Sequence, residues 1–311
     1  MSAERTALAS TKPESLSRAA WKRFRSNKLA MLGLVILGLF VLIAILAPWI
    51  RPFDPAAIDL MHVDAPPGAG HLLGTDLVGR DVLSRLMYGS RISLLVGFCV
   101  AAGAVIVGSI VGSVAGYFGG WVDTVLMRFI DVMLSFPSLF LNILVLAIFG
   151  GHFVYLILIL VATSWMGVAR LVRGQFLQLR EMQYVEAAQA IGTPSWEIMF
   201  KHLLRNATAP IIVTATLHVG GAILSESALS FLGLGVQPPQ TSWGQMLSNA
   251  QEYMLINPMY ALYPGLCIFL TVLAVNFIGD GLRDALDPRQ KAHIPKGRIA
   301  EWRDRFLKSR T

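Results

Sequence analysis

Residues 29–50 read LAMLGLVILGLFVLIAILAPWI and contain no Asp, Glu, Lys or Arg. A helix of about 20 apolar residues crosses a hydrocarbon core of about 30 Å, so this stretch is long enough for one crossing. The full chain of 311 residues shares this character, because 55% of its residues are hydrophobic and 14% are charged. An average soluble domain has about 25% charged residues. The sequence therefore predicts an all-α integral membrane protein.

Four further runs lack charged side chains, over residues 92–122, 132–169, 206–225 and 253–279. The run from 132 to 169 is too long for one crossing, and Gly150-Gly151-His152 is a typical break between two helices. We therefore predict a domain of six transmembrane helices over residues 29–282. Its predicted spans are 29–50, 92–115, 125–149, 153–171, 207–234 and 259–280.

The distribution of lysine and arginine predicts the orientation. Cytoplasmic loops are enriched in these residues, and 21 of the 26 fall on one side if the N-terminus is inside. The predicted cytoplasmic segments are the N-terminal tail 1–28, the loop 172–205 and the C-terminal tail 283–311; the predicted external loops are 51–91 and 235–258. Orientation and anionic lipid headgroups account for the net charge of +7, so membrane lipids are expected partners and nucleic acid is not.

Both external loops carry local signals. Residues 79–91 repeat apolar side chains at helical spacing, with Asp81 facing Arg85, which predicts an amphipathic helix lying on the membrane surface. Pro238-Pro239 prevents a continuing helix, and Trp243 suits the membrane interface, so residues 235–258 are predicted as a structured external loop.

The cytoplasmic loop predicts two helices joined by a glycine. The first covers residues 174–191 and ends at Gly192, a residue suited to the left-handed position after a helix. Thr193 is the predicted cap of the second helix, with Pro194 in its first position. Glu197 and Lys201 are four residues apart in the favourable order for an ion pair.

A row of glycines predicts close helix packing. Gly108, Gly112, Gly116 and Gly120 recur every four residues, which leaves one helix face nearly without side chains. Such faces let helices approach closely in lipid. The neighbour is a helix of this chain or of a partner subunit; the alternative is that the glycines only loosen the helix.

Three charged residues near span ends are candidates for a translocation path, because intramembrane charges are costly. Arg128 and Asp131 are three residues apart, so a mutual salt bridge is the leading interpretation. Glu226 is expected near the outer surface, where it contacts substrate or hydrogen-bonds to neighbouring serines. The histidines and the two cysteines show no ligand spacing, so neither a metal site nor a disulfide is predicted.

Five stretches together resemble one known family. Residues 184–192, YVEAAQAIG, resemble the EAA loop in the permease subunits of binding-protein-dependent ABC importers. Four flanking blocks are similar to the dipeptide, oligopeptide and nickel branch of that family. These blocks are HLLGTDLVGRDVLSRLMYGSRISLLVG (71–97), DVMLSFPSLF (131–140), ESALSFLGLGVQPPQTSWGQML (226–247) and NFIGDGLRDALDPR (276–289). The 28-residue cytoplasmic lead and the arrangement of the first outer loop are similar to the second of the two paired permeases in such systems. The family pattern places a proline after Leu204, where this chain has Arg205; Pro210 is the candidate replacement.

The resemblance implies a transport subunit in the cytoplasmic (inner) membrane of a prokaryote, rather than an enzyme. Its implied partners are a paralogous permease, two cytoplasmic ATPase subunits and an extracytoplasmic solute-binding protein. The implied ATPase-coupling residues are Glu186, Ala187, Ala188, Gly192, His202 and Leu204. The chain has no GxxxxGK[ST] loop, so no cofactor is expected here, and ATP with Mg²⁺ is expected on the partner ATPases. Peptides are the implied substrate, with nickel or another small solute as the alternative.

Two other classes of membrane protein have distinct signatures. An ion-driven secondary transporter is expected to contain repeated halves with broken helices. An integral membrane enzyme is expected to cluster His, Asp or Ser at a span end. The sequence shows neither signature, and no catalytic residue is predicted.

Overall fold

The computed structural model describes residues 16–68 and 70–287. The rest of the predicted tails, residues 1–15 and 288–311, lies outside the described residues. The helices are α1 (Leu16–Ser26), α2 (Lys28–Ile50), α3 (Val82–Phe118), α4 (Gly120–Leu134), α5 (Ser138–Phe149), α6 (Phe153–Leu179), α7 (Gln183–Ala190), α8 (Ser195–Glu197), a π-helix (Ile198–Leu204), α9 (Thr208–Phe231), α10 (Trp243–Ala250), a 3₁₀ turn (Gln251–Tyr253) and α11 (Met259–Leu286). This architecture confirms the predicted all-α class.

Five helices of the described chain are long and apolar enough to cross a membrane: α2, α3, α6, α9 and α11. The predicted span 125–149 is not one straight helix, because α4 and α5 meet at an angle of 79°. Pro137 lies at this break, where it lacks an N–H for the helical ladder and disfavours helical backbone at Phe136. The number of spans reaches six only if this bent pair is one crossing.

Helix α3 corrects the prediction for residues 79–91. It begins at Val82 and continues for 37 residues without a break, which corresponds to about 55 Å of helix. Its first turns are packed inside the protein rather than exposed on its surface, because Arg85 and Leu86 are buried and hydrogen-bond to Gln245 and Trp243 of α10. The predicted pairing of Asp81 with Arg85 is also wrong. Asp81 accepts hydrogen bonds from the Ser84 N–H at 2.7 Å and lies 2.9 Å from His71 Nδ1.

The predicted N-terminal tail contains the helix α1 in its described part. Phe24 is buried against α2 and α11 and packs beside Gly281. Asn27 separates α1 from α2 and caps α2 by accepting hydrogen bonds from the N–H groups of Leu29 and Ala30. This segment is therefore packed on the transmembrane domain over residues 16–26.

Trp243 lies at the centre of the largest apolar cluster, which joins α2, α3, α9, α10 and α11. Its side chain is fully buried and its indole N–H donates to the Leu86 carbonyl at 3.1 Å. The tryptophan expected at the membrane interface is thus packed inside the protein. The hydrogen bond to α3 shows why: the polar N–H of this ring is satisfied inside the protein.

Candidate coupling site

Helix α7 has one buried and one exposed face. Val185 and Ala188 pack into an apolar cluster with α6 and the π-helix. Glu186 and Ala187 are exposed on the opposite face, and Ile191, at the end of the helix, is 82% exposed. The helix therefore presents a slim outer surface with one acidic and several small or apolar side chains.

The predicted first helix of this loop, residues 174–191, is wrong as one unit. Helix α6 ends at Leu179 and α7 begins at Gln183. Met182 between them has extended backbone, with φ −82° and ψ 141°, so the helical hydrogen-bond ladder stops there. The Arg180 guanidinium donates to the Gly116 carbonyl at 3.4 Å and fixes the end of α6 against α3.

Gly192 ends α7 in a left-handed conformation, with φ +79°. Its N–H donates to the Gln189 carbonyl at 3.0 Å, and the Thr193 N–H donates to the Ala188 carbonyl at 3.0 Å. These two bonds form a Schellman motif, in which glycine avoids the steric cost of a side chain. The position therefore fixes the direction in which the chain leaves α7.

The second helix of the loop starts one residue later than predicted. Pro194 is its N-cap without a side-chain bond, so Thr193 is not the cap. The π-helix that follows buries Ile198 and Leu203, and Lys201 forms an ion pair with Glu197. π-Helices are rare in proteins, and those that occur often lie at functional sites.

Side-chain hydrogen bonds, and not a proline bend, hold the chain at the end of this loop. Asn206 Nδ2 donates to the His202 carbonyl at 2.7 Å and to Tyr184 Oη at 3.2 Å, which ties the exit to α7. Leu204 is partly buried in the same cluster. Arg205 has helical backbone, and Pro210 lies in the first turn of α9, where a missing N–H is harmless.

Two ion pairs connect α6 with α4 near residues 180–207, which join α6 to α9. Arg173 binds Asp123 with two contacts at 2.5 and 2.6 Å, and Arg170 lies 2.5 Å from Asp131. The predicted pair of Arg128 with Asp131 is therefore wrong. Within α4 that pair would have the basic residue first, which is the less favourable order in a helix, and α6 supplies the better partner.

The glycine row of α3 lies against α6 at three of its four positions. A Cβ on Gly108, Gly112 or Gly116 would come within 2.4 to 2.6 Å of α6 atoms. Gly120 has no such neighbour and instead follows the end of α3, with φ +52°. The close helix neighbour is thus a helix of the same chain, and Gly120 does not belong to the packing row.

Glu226 is fully buried at the opposite end of the bundle. One of its carboxylate oxygens accepts hydrogen bonds from the hydroxyls of Ser230 and Ser242, both at 2.6 Å. Ser230 also accepts from the Val236 N–H, and Ser242 from the Gln245 N–H. Glu226 therefore joins α9 to α10 in this structure and does not line an open path through the described chain.

Sequence reasoning missed a second buried polar group at the same end. Arg85 is only 2% exposed, and it pairs with Asp76 and donates to Gln245 Oε1 at 3.0 Å. It borders a pocket of about 320 Å³ between the first loop and α10, lined by both polar and apolar side chains. The spacing Asp76 to Arg85 crosses the start of a helix, so no simple periodicity signals it.

Comparison with known families adds to this geometry. Residues 108–292 match the model of the binding-protein-dependent transport system inner membrane component. The chain belongs to this family. Residues 15–67 of the permease also match the N-terminal transmembrane domain of oligopeptide transport permease C. Both results confirm the resemblance predicted from the EAA loop and its flanks.

Curated relatives cover nearly the whole permease. It is 44% identical to the dipeptide transport system permease protein of Alkalihalophilus pseudofirmus over 275 residues, 88% of this chain and 90% of the relative. It is 43% identical to the oligopeptide transport system permease protein of Haemophilus influenzae, over 89% and 90% of the two chains. It is 40% identical to the glutathione transport system permease protein of Pectobacterium atrosepticum, over 88% and 92%. This permease is a multi-pass inner membrane transport subunit and not an enzyme.

Proposed function

We propose that this permease imports di- or oligopeptides, or a related small peptide such as glutathione, across the cytoplasmic membrane. The names of its relatives support this substrate class, since they are permeases of dipeptide, oligopeptide and glutathione transport systems. The proposed complex contains a paralogous permease, two cytoplasmic ATPases that bind ATP with Mg²⁺, and an external solute-binding protein. Both ends of the permease are proposed to be cytoplasmic, in accord with its arginine and lysine distribution.

The exposed face of α7 is the observation that carries the coupling role. Glu186 and Ala187 are accessible, while Val185 and Ala188 anchor the same helix in an apolar cluster with the π-helix and α6. A helix held in this way transmits a displacement of its exposed face to the helices that it packs against. In the proposed mechanism, closure of the ATPases moves α7, and α6 moves with it between inward-open and outward-open arrangements.

The route from α7 to the membrane is built from direct contacts. The buried side of α7 packs against the π-helix, which in turn contacts α6, and the Arg173–Asp123 pair links α6 to α4. Helix α4 enters the 79° bend before α5. A displacement at α7 therefore has a continuous packed path to the bent segment.

The test combines charge reversal with co-purification. Glu186→Arg in the full complex is expected to reduce the amount of ATPase retained on the tagged permease and to abolish stimulation of ATP hydrolysis by peptide-loaded binding protein. Glu252→Arg is the matched control for ATPase retention, because Glu252 is also exposed but lies beyond α10, at the opposite end of the bundle. Normal ATPase retention and stimulation in Glu186→Arg would contradict the coupling role.

Substrate class needs a separate measurement. Uptake of radiolabelled dipeptide, longer peptide and glutathione is compared in cells with and without the permease gene. Loss of peptide uptake on deletion, restored by the wild-type chain, is the expected result. Unchanged uptake of all three would refute the proposed substrate class without affecting the coupling assay.

A further inference from the structure

An apolar cleft runs between α2 and α3 on the outside of the bundle. Its volume is about 620 Å³, which lies within the ~300–1,000 Å³ range of small-molecule sites. The cleft walls include Ala44 and Ile45 of α2 and Leu95 and Phe98 of α3. Ile45, Leu95 and Phe98 are each more than 40% exposed, so the cleft opens to the surroundings of the bundle.

Two arginines lie at the mouth of this cleft, both close to one aromatic ring. The Arg51 and Arg91 guanidinium carbons lie 5.3 and 5.2 Å from the centre of the Tyr88 ring. Arg51 also faces Asp54 at 3.4 Å, whereas Arg91 forms no ion pair within residues 16–68 and 70–287. The mouth therefore carries a net positive charge above an apolar floor.

The length of the cleft matches one leaflet of a bilayer. From Tyr88 at the mouth to Phe98 at the far end, α3 advances ten residues, which is about 15 Å of helix. Half of a ~30 Å hydrocarbon core has the same thickness. Trp49 beside the mouth is 75% exposed, as is common for tryptophan at a membrane interface.

We propose that this cleft binds an anionic phospholipid of the leaflet that faces residues 51–91. One acyl chain lies along the groove between α2 and α3, and the phosphate is bound by Arg51 and Arg91. Positive charge at the mouth and an apolar floor of one-leaflet length are the two features that such a molecule complements. A helix of the paired permease is the competing occupant, and it would not require the two arginines.

The experiment places a photoreactive residue in the cleft of the intact transport complex. Benzoylphenylalanine replaces Leu95, and the complex is reconstituted in phosphatidylcholine vesicles that contain a minority of phosphatidylglycerol with the same acyl chains. The phosphatidylglycerol adduct on the permease is expected to exceed its bulk share by about fivefold or more, because one basic residue near an anionic surface changes binding by roughly this factor. Ile106, 60% exposed on α3 but outside the cleft, is the control position, where adducts should follow the bulk ratio.

Charge variants separate the arginines from the rest of the site. Arg51→Gln with Arg91→Gln should return the adduct ratio at residue 95 to the bulk value. Arg18→Gln with Arg25→Gln removes the same charge from α1 and should leave the ratio unchanged. A bulk ratio in the wild-type cleft overturns the proposal, and so does a cross-link from residue 95 to the partner polypeptide. The wild-type measurement decides even if the double variant fails to fold.

Discussion

Adding one methyl group at Gly112 tests the packing of α3 against α6. In Gly112→Ala the new Cβ would lie 2.4 Å from the Ala169 carbonyl oxygen. Ordinary contacts begin near 3.4 Å, so the helices must separate by about 1 Å. The obstructing atom belongs to the backbone, and no side-chain rotation can relieve the contact.

The expected magnitude follows from two opposing effects. Overpacking of this kind costs about 1–3 kcal/mol, while replacing a helical glycine by alanine contributes about 0.5–1 kcal/mol of stability. Gly174→Ala on α6 is the matched control, because nothing lies within 4 Å of its Cβ position. The helix-propensity gain is common to both variants, so Gly112→Ala should be less stable than Gly174→Ala by about 1–3 kcal/mol.

The free energy of unfolding is measured by circular dichroism in mixed micelles with increasing denaturing detergent. ATP hydrolysis by the assembled complex is measured in parallel, because a displaced α6 carries the coupling loop with it. Gly112→Ala should also lower substrate-stimulated hydrolysis, whereas Gly174→Ala should not. Equal stability of the two alanine variants would refute the argument that bare backbone contact holds these helices.

Three further outcomes follow from the described contacts. Glu226→Gln should keep the permease stable, because its amide oxygen still accepts hydrogen bonds from both serine hydroxyls. Glu226→Leu should lower the free energy of unfolding in detergent by about 2–4 kcal/mol, because both hydroxyls lose their acceptor. Equal losses in the two variants would show that the charge of Glu226, and not its role as an acceptor, matters. Gly192→Ala should lower the local stability of α7 by about 1–2 kcal/mol, and Gly192→Asn should lower it less. The measurement is amide hydrogen exchange in α7, which should be faster in the alanine variant. Identical exchange in the two variants would contradict the requirement for left-handed backbone at this position. Asp123→Arg should impair transport and regain it when combined with Arg173→Asp, and uptake that does not recover would exclude a direct pair.

Much of the coupling site followed from local patterns in the sequence. The end of α7 at Gly192 and the ion pair of Glu197 with Lys201 depend on residues within four positions of each other, and local geometry decides both. The start of the second helix was displaced by one residue, which is common for helix ends. The break at residues 180–182 was missed because no glycine or proline marks it in the sequence.

Charged partners were the least predictable part of the site. Asp131 has Arg128 nearby in sequence, but its partner is Arg170, 39 positions away. Glu226 has serines beside it, yet one of its two closest donors is Ser242, 16 positions away. Long side chains reach whichever complementary group the fold brings near, so sequence proximity is a weak guide to these pairs.

The sequence by itself determined that this chain is a helical membrane protein, because the length of uncharged runs must match the thickness of a bilayer, and its motifs indicated the permease family by resemblance. Only the tertiary structure decided where those helices bend and what they contact. The burial of Trp243, the network around Glu226 and the use of three glycines against α6 all depend on residues far apart in the chain. Periodicity records which face of a helix is apolar, but the identity of the surface that meets that face is set by the packing of the whole bundle.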